Sequence, residues 1–249
     1  MQEYWFPKIA EDPSFLLSHA LTEPRGASDR WLPYDVPEAM MHTRAVKKGD
    51  RWLINGRKQF ITNGYDAKLY VVYATTLPGA GITKGTSSFL VPRGTKGMTI
   101  ARCNETLGGR YMNNGEIVFE DCEVPEDHCL VQDIAMTRAG VYFKPGKIVV
   151  AAKNLGVGMG AFEKTAEYVQ NYVQGGRVLI KHQAVAVRLG EMITKLNAVR
   201  ALLNEAVRAV DAKAHDAEGL CNQAKLFASE EIFKVCMHAV ELHLSLIHI

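Results

Sequence analysis

The hydrophobic period changes once along this chain, near residue 130, and that change limits the possible folds more than any other feature. After it, Val185, Leu189, Met192, Leu196, Val199, Leu203, Ala206 and Val210 recur at steps that alternate between four and three. A seam held for about four heptads is that of a long helix packed nearly parallel to others in a bundle. A similar row, Leu226, Ser229, Phe233, Cys236 and Val240, follows a break at Asp216 to Gly219. An earlier row runs through Ile148, Ala152, Leu155, Met159, Phe162, Ala166 and Val169. These rows predict three long helices, each needing an apolar partner face.

Before residue 130 the runs are short and β-rich. Thr43 to Val46 leads through Lys47-Lys48-Gly49-Asp50 to Arg51-Trp52-Leu53-Ile54, then Asn55-Gly56, then Arg57 to Thr62. Asn-Gly between apolar runs is a strong hairpin signal, because both turn residues must accept positive φ, so a second turn is expected there. Leu69 to Thr75, Ser87 to Pro92, Thr99 to Arg102 and Glu116 to Val124 add further strands. The fold class expected is α+β: an antiparallel β-sandwich or barrel, then an incomplete up-down helical bundle.

Composition narrows the function. Lys plus Arg (29) against Asp plus Glu (27) leaves a net charge of +2, so no basic field marks nucleic acid or an anionic membrane as partner. No apolar run approaches the roughly 18 residues of a membrane span, and Met1 to Pro7 lacks a signal segment. The five cysteines form no C-x-x-C pair, which fits a reduced, cytoplasmic compartment and neither a disulfide framework nor a zinc site. A small-molecule partner is expected.

Several motifs point nowhere. Gly156-Val157-Gly158-Met159-Gly160-Ala161 fits G-x-G-x-x-A, but residues 176 to 181 supply no acid for a ribose, and the helical period runs through the glycines. They are expected to let helices approach closely. His238 and Glu241 share a helix face without a second ligand pair, so they read as polar bundle-face residues. The G-x-S-x-G and P-loop patterns are absent.

Three segments carry more. Ala20-Leu21-Thr22-Glu23-Pro24-Arg25-Gly26-Ala27-Ser28-Asp29 is a turn that can offer N–H groups and the Thr22 and Ser28 hydroxyls to a phosphate or polar ring. Asn55 to Gly64 places Thr62 beside Phe60 where a strand meets a turn, and Ile117-Val118-Phe119-Glu120-Asp121-Cys122-Glu123-Val124-Pro125 closes the β region. In this order and spacing they resemble the acyl-CoA dehydrogenase superfamily, with its T-E-P-x-x-G-S-D loop, N-G-x-K-x-W/F-I-T-N hairpin and F-E-D-V-x-V-P strand. The resemblance runs from about Trp5 to Leu244.

The resemblance implies an FAD enzyme that removes hydrogen from Cα and Cβ of an acyl-CoA thioester. The hydride goes to flavin N5 and the electrons then pass to an electron-transferring flavoprotein. It implies that Leu21 and Thr22 contact the flavin ring, that Ser28 reaches the pyrophosphate or bound CoA, and that Phe60, Ile61 and Thr62 line the other side. It implies that His182 and Gln183 reach the FAD of a neighbouring subunit, in a homodimer or homotetramer. Lys144 and Lys147 fall near the CoA thioester where relatives carry Asp and Arg. Tyr172 stands where an arginine usually meets the partner's pyrophosphate, so one hydroxyl replaces a charged fork.

Some members place the catalytic glutamate at the position of Gly146, which cannot serve, and others place it near the C-terminus. No catalytic base is therefore expected within this chain. The resemblance divides it into 1–17, a remnant of an N-terminal helical domain; 18–130, a middle β domain; and 131–244, the first helices of a C-terminal bundle. Residues 245–249 read as a non-native tail similar to a translated sequencing adapter. A fragment of this kind is expected to be inactive by itself. Two other readings share its motifs: a flavin monooxygenase or nitroalkane-type oxidase, and a non-catalytic DNA-binding relative.

Overall fold

The computed structural model describes residues 1–26 and 36–243. Contacts divide the chain into two compact units, Met1–Gly140 and Val141–Ile249. Each is described by itself.

The first unit opens with helix α1 (Gln2–Glu11), whose Trp5 packs with Leu69 and Leu90. Strands β1 (Leu17–Ala20), β2 (Arg44–Lys48), β3 (Arg51–Thr62) and β4 (Leu69–Thr75) follow, then the short helix α2 (Gly81–Lys84). Strands β5 (Thr86–Pro92), β6 (Met98–Cys103), β7 (Asn114–Pro125) and β8 (Cys129–Val131) complete a sheet ordered β6-β7-β3-β2-β4-β5-β8, with β1 beside β4. Most pairs are antiparallel, but β1 runs parallel to β4 and β2 meets β4 in parallel at Arg44 and Thr75. The sheet is therefore mixed and its pairing path does not close. Trp52, Ile54, Tyr70, Val72, Phe89, Val91, Ile117 and Phe119 fill its core.

The hairpin expected at Lys48-Gly49-Asp50 forms, with Gly49 at φ 62°. The second turn, expected at Asn55-Gly56, does not. Both residues lie inside β3, where the pairing with β7 shifts between Ile54 and Gly56. The Asn55 side chain instead bridges to β7: its Nδ2 donates to Asp121 Oδ1 (3.0 Å) and its Oδ1 accepts the Asp121 N–H (2.8 Å). Gly56 is required for space as much as for its φ of 147°, because a Cβ there would stand 2.6 Å from Thr43 Cα.

The second unit contains most of helix α3 (Ala135–Asn171), the small hairpin β9 (Val173–Gln174) and β10 (Arg177–Val178), and helices α4 (Gln183–Asp211) and α5 (Ala217–His243). The α4 seam behaves as its period predicts, with Leu189, Met192, Leu196, Val199, Leu203 and Ala206 buried. On α5 the expected row is the wrong face. Leu226, Phe233 and Val240 are exposed by 59%, 67% and 43%, whereas Cys221, Ala224, Ala228, Ile232, Val235 and Ala239 are buried. Small residues let two helix axes approach, so side-chain size decided which of two apolar faces meets α4. The glycine-rich stretch lies within α3, and a Cβ on Gly158 would stand 2.9 Å from Ile232 and 3.1 Å from Leu196. One of its glycines is thus a helix-contact residue; Gly156 and Gly160 face open space.

Candidate functional site

In the first unit the three informative segments meet: β7 pairs with β3, and the turn after β1 is bonded to β3. Along β3 the inward row is Trp52, Ile54 and then Lys58, so the strand's alternation carries a lysine into the core. Lys58 is fully buried, and its ammonium lies 2.7 Å from Glu23 Oε1, a carboxylate buried beside it. The same ammonium donates to the Leu21 carbonyl at 3.2 Å. The backbone N–H of Gln59, the next residue, donates to the Thr22 carbonyl at 2.9 Å. Glu23 in turn accepts the His42 N–H (2.7 Å) and the Thr43 N–H (2.9 Å). Burial acts to raise the Glu23 carboxyl, but the Lys58 charge, with hydrogen bonds from Lys58 and Thr43, outweighs it and holds the group below its ordinary value.

Past this junction the strand is bent. Lys58 pairs with Ile117 and Ile61 with Gly115, so Gln59 and Phe60 together oppose Glu116 in a bulge. Phe60 takes φ 58°, and its side chain is 53% exposed. A bulky residue in the left-handed region beside an exposed ring is the kind of strain that marks a functional position. Glu116 itself is buried and held by Arg57 at 3.1 Å and Arg102 at 2.5 Å. The Ser18 hydroxyl donates to the Thr62 carbonyl at 2.6 Å, fixing the end of the strand to β1.

Of the expected ring contacts, Leu21 and Ile61 are buried, with Ile61 in the sheet core, so they have only main-chain atoms to offer. Thr22 is half-buried and Thr62 exposed, and among the described residues neither hydroxyl makes a hydrogen bond. Ser28 lies outside the described residues. The sequence reading missed Glu23 and Lys58 as a pair, although the alternation Trp52, Ile54, Gly56, Lys58 was the signal that could have found them.

The remaining expected residues belong to the second unit. Nothing is described of the Lys144 side chain. Lys147 on α3 donates to Asn222 Oδ1 on α5 at 2.6 Å, a contact within the bundle. His182 precedes α4, and its Nε2 lies 2.9 Å from the Gln174 carbonyl of the small hairpin. The ring thereby latches onto the exposed hairpin, while Gln183 is exposed. A hollow of about 280 Å³ lies between Gln174, Gly175, His182 and Glu241. Tyr172 stacks on Tyr168 at 5.0 Å, and Tyr168 on His243 at 4.4 Å. His238 Nε2 faces Arg188 at 3.2 Å, and no cluster of metal-ligating residues exists among the described residues.

Two family profiles match this chain: the acyl-CoA dehydrogenase middle domain over residues 18–122 and the acyl-CoA dehydrogenase C-terminal domain over residues 136–243. Cyclohex-1-ene-1-carbonyl-CoA dehydrogenase of Syntrophus aciditrophicus (strain SB) is 32% identical over 247 residues, 97% of this chain and 56% of that protein. The caffeyl-CoA reductase-Etf complex subunit CarC of Acetobacterium woodii is 32% identical over 91% of this chain and 58% of its own length. The crystal structure of acyl-CoA dehydrogenase from Geobacillus kaustophilus superposes with a TM-score of 0.90 at 27% identity, over 100% of this chain and 63% of that one. The chain thus spans between 56% and 63% of the length of these relatives. It belongs to the acyl-CoA dehydrogenase family, whose members are FAD-dependent flavoproteins.

Proposed function

We propose that the protein of which this chain forms part oxidises an acyl-CoA thioester at Cα and Cβ to the 2-enoyl-CoA, using FAD. One observation carries the reading: Thr22 and Thr62, with hydroxyls unpaired among the described residues, are held on two strapped segments beside the exposed, strained Phe60. These residues fit an isoalloxazine, which needs polar groups at its edge and an apolar surface against its face. FAD would supply the two-electron acceptor. Thr22 and Thr62 would donate hydrogen bonds to the ring, and Phe60 would cover one face and exclude water.

His182 and Gln183 would meet the FAD of a second copy in a homo-oligomer, with Gln183 the donor still unpaired among the described residues, since His182 is engaged with Gln174. Ser28, Lys144 and Lys147 are proposed for the CoA side. Gly146 offers no side chain where some members carry the base, so the α-proton would be taken by a carboxylate from another part of the protein. An electron-transferring flavoprotein is the proposed acceptor and the cytoplasm the proposed compartment; the Etf-complex relative supports the first.

The test is anaerobic addition of short-, medium- and long-chain acyl-CoA to the flavin-loaded whole protein. Bleaching of the flavin's visible band by one of the series is expected. Failure of every acyl-CoA to bleach it would sink the dehydrogenase reading in favour of the monooxygenase or oxidase one.

A further inference from the structure

We propose that Glu23 and Lys58 form a positioning pair for the flavin site, setting where the Leu21–Thr22 backbone stands against Phe60–Thr62; this rests on the flavin reading above. The pair is costly as a stability device. Taking two charges out of water exacts a desolvation penalty that an apolar pair of similar volume avoids, so a merely structural role would be as well served by hydrophobic residues. What an apolar pair lacks is direction. The Lys58 ammonium is shared between Glu23 Oε1 at 2.7 Å and the Leu21 carbonyl at 3.2 Å, and so ties a strand to a loop through a specific loop atom.

Three further contacts make the tie rigid. The Glu23 carboxylate is itself fixed by the His42 and Thr43 N–H groups, so it cannot follow a drifting lysine. Gln59 N–H holds the Thr22 carbonyl one residue further along both segments. Ser18 anchors Thr62 from the other side. The two hydroxyls that remain unpaired among the described residues are therefore carried on segments whose separation is set by buried bonds. Ring-binding groups need that kind of support from behind, because a small misplacement of a donor weakens or loses its hydrogen bond.

The experiment compares the unaltered whole protein with its Glu23→Asp variant and with its double variant Glu23→Gln/Lys58→Met. Each is followed by thermal unfolding, by quenching of FAD fluorescence on binding, and by hydrogen exchange of the Gln59 amide. The aspartate keeps the charge but shortens the tether by one carbon; the double variant removes both charges together. A positioning role predicts melting close to that of the parent in Glu23→Asp, FAD binding weakened by about tenfold or more in both variants, and faster Gln59 exchange. If either folded variant binds FAD like the parent, whether or not it melts lower, the pair does not position the site and the proposal is overturned while the flavin reading survives. If the unaltered whole protein does not quench FAD at all, the flavin reading fails and this proposal with it. Should the double variant not fold, Glu23→Asp alone decides between the two outcomes.

Discussion

Gly56 passes Thr43 so closely that a Cβ on the glycine would stand 2.6 Å from Thr43 Cα and 2.7 Å from its Oγ1. Thr43 has little room to yield, since it is fully buried and its N–H is tied to Glu23. Gly56→Ala therefore adds a clash to an unfavourable φ, and a loss of about 3 kcal/mol or more is expected. Urea unfolding of the variant should show the midpoint falling at unchanged slope. A variant as stable as the parent would mean that β2 and β3 do not approach as described.

That glycine also shows why part of the fold was hidden from the sequence. Asn-Gly is chosen by hairpin turns for its tolerance of positive φ, and by a crowded strand crossing for its missing side chain; the dipeptide alone does not separate the two demands. Local period was enough to find the strands, since Leu69 to Thr75 matches β4 residue for residue. It was also enough for the α4 seam. Selection between two apolar faces on α5 depended on what α4 presents to it, which is a long-range fact. The candidate site was legible as two motifs, but the buried bond joining Glu23 to Lys58 across 35 positions needed the sheet to bring them together.

On α5 the two faces make opposite predictions. Ile232 is 4% exposed among α4 and α5 residues, and Ile232→Ala should cost about 2 to 4 kcal/mol by leaving a cavity. Phe233, the next residue, is 67% exposed, and Phe233→Ala should change stability by less than about 1 kcal/mol. Chemical denaturation followed by far-UV circular dichroism distinguishes them. A reversed order would restore the face that the period alone suggested.

Acid should act on Glu23. Its folded pKa is held below the unfolded value of 4.5, so the unfolded chain binds the proton more readily at moderate acidity. The ionised carboxylate therefore stabilises the fold fully above that unfolded value, and the contribution is lost as pH falls through the lower folded value. Glu23→Gln leaves a buried ammonium without its counter-charge, and should destabilise by about 3 kcal/mol at neutral pH. Melting curves from neutrality into acid should show the parent and variant converging as the pH drops below 4.5. A constant gap across the range would show that ionisation of Glu23 does not contribute.

Phe60 offers a separation of stability from binding. Its ring is 53% exposed, so removing it forfeits little burial, and its φ of 58° is one that glycine adopts without strain. In Phe60→Gly the relief of backbone strain offsets the greater entropy of the unfolded glycine, and stability should stay within about 1 kcal/mol of the parent. Flavin binding should weaken by about tenfold or more, because the apolar surface proposed for the ring is gone. Thermal melts and FAD fluorescence titration on the same preparation measure both quantities. A large fall in melting temperature would mean that the ring serves packing, whereas unchanged FAD affinity would remove Phe60 from the site and leave Thr22 and Thr62 to define it.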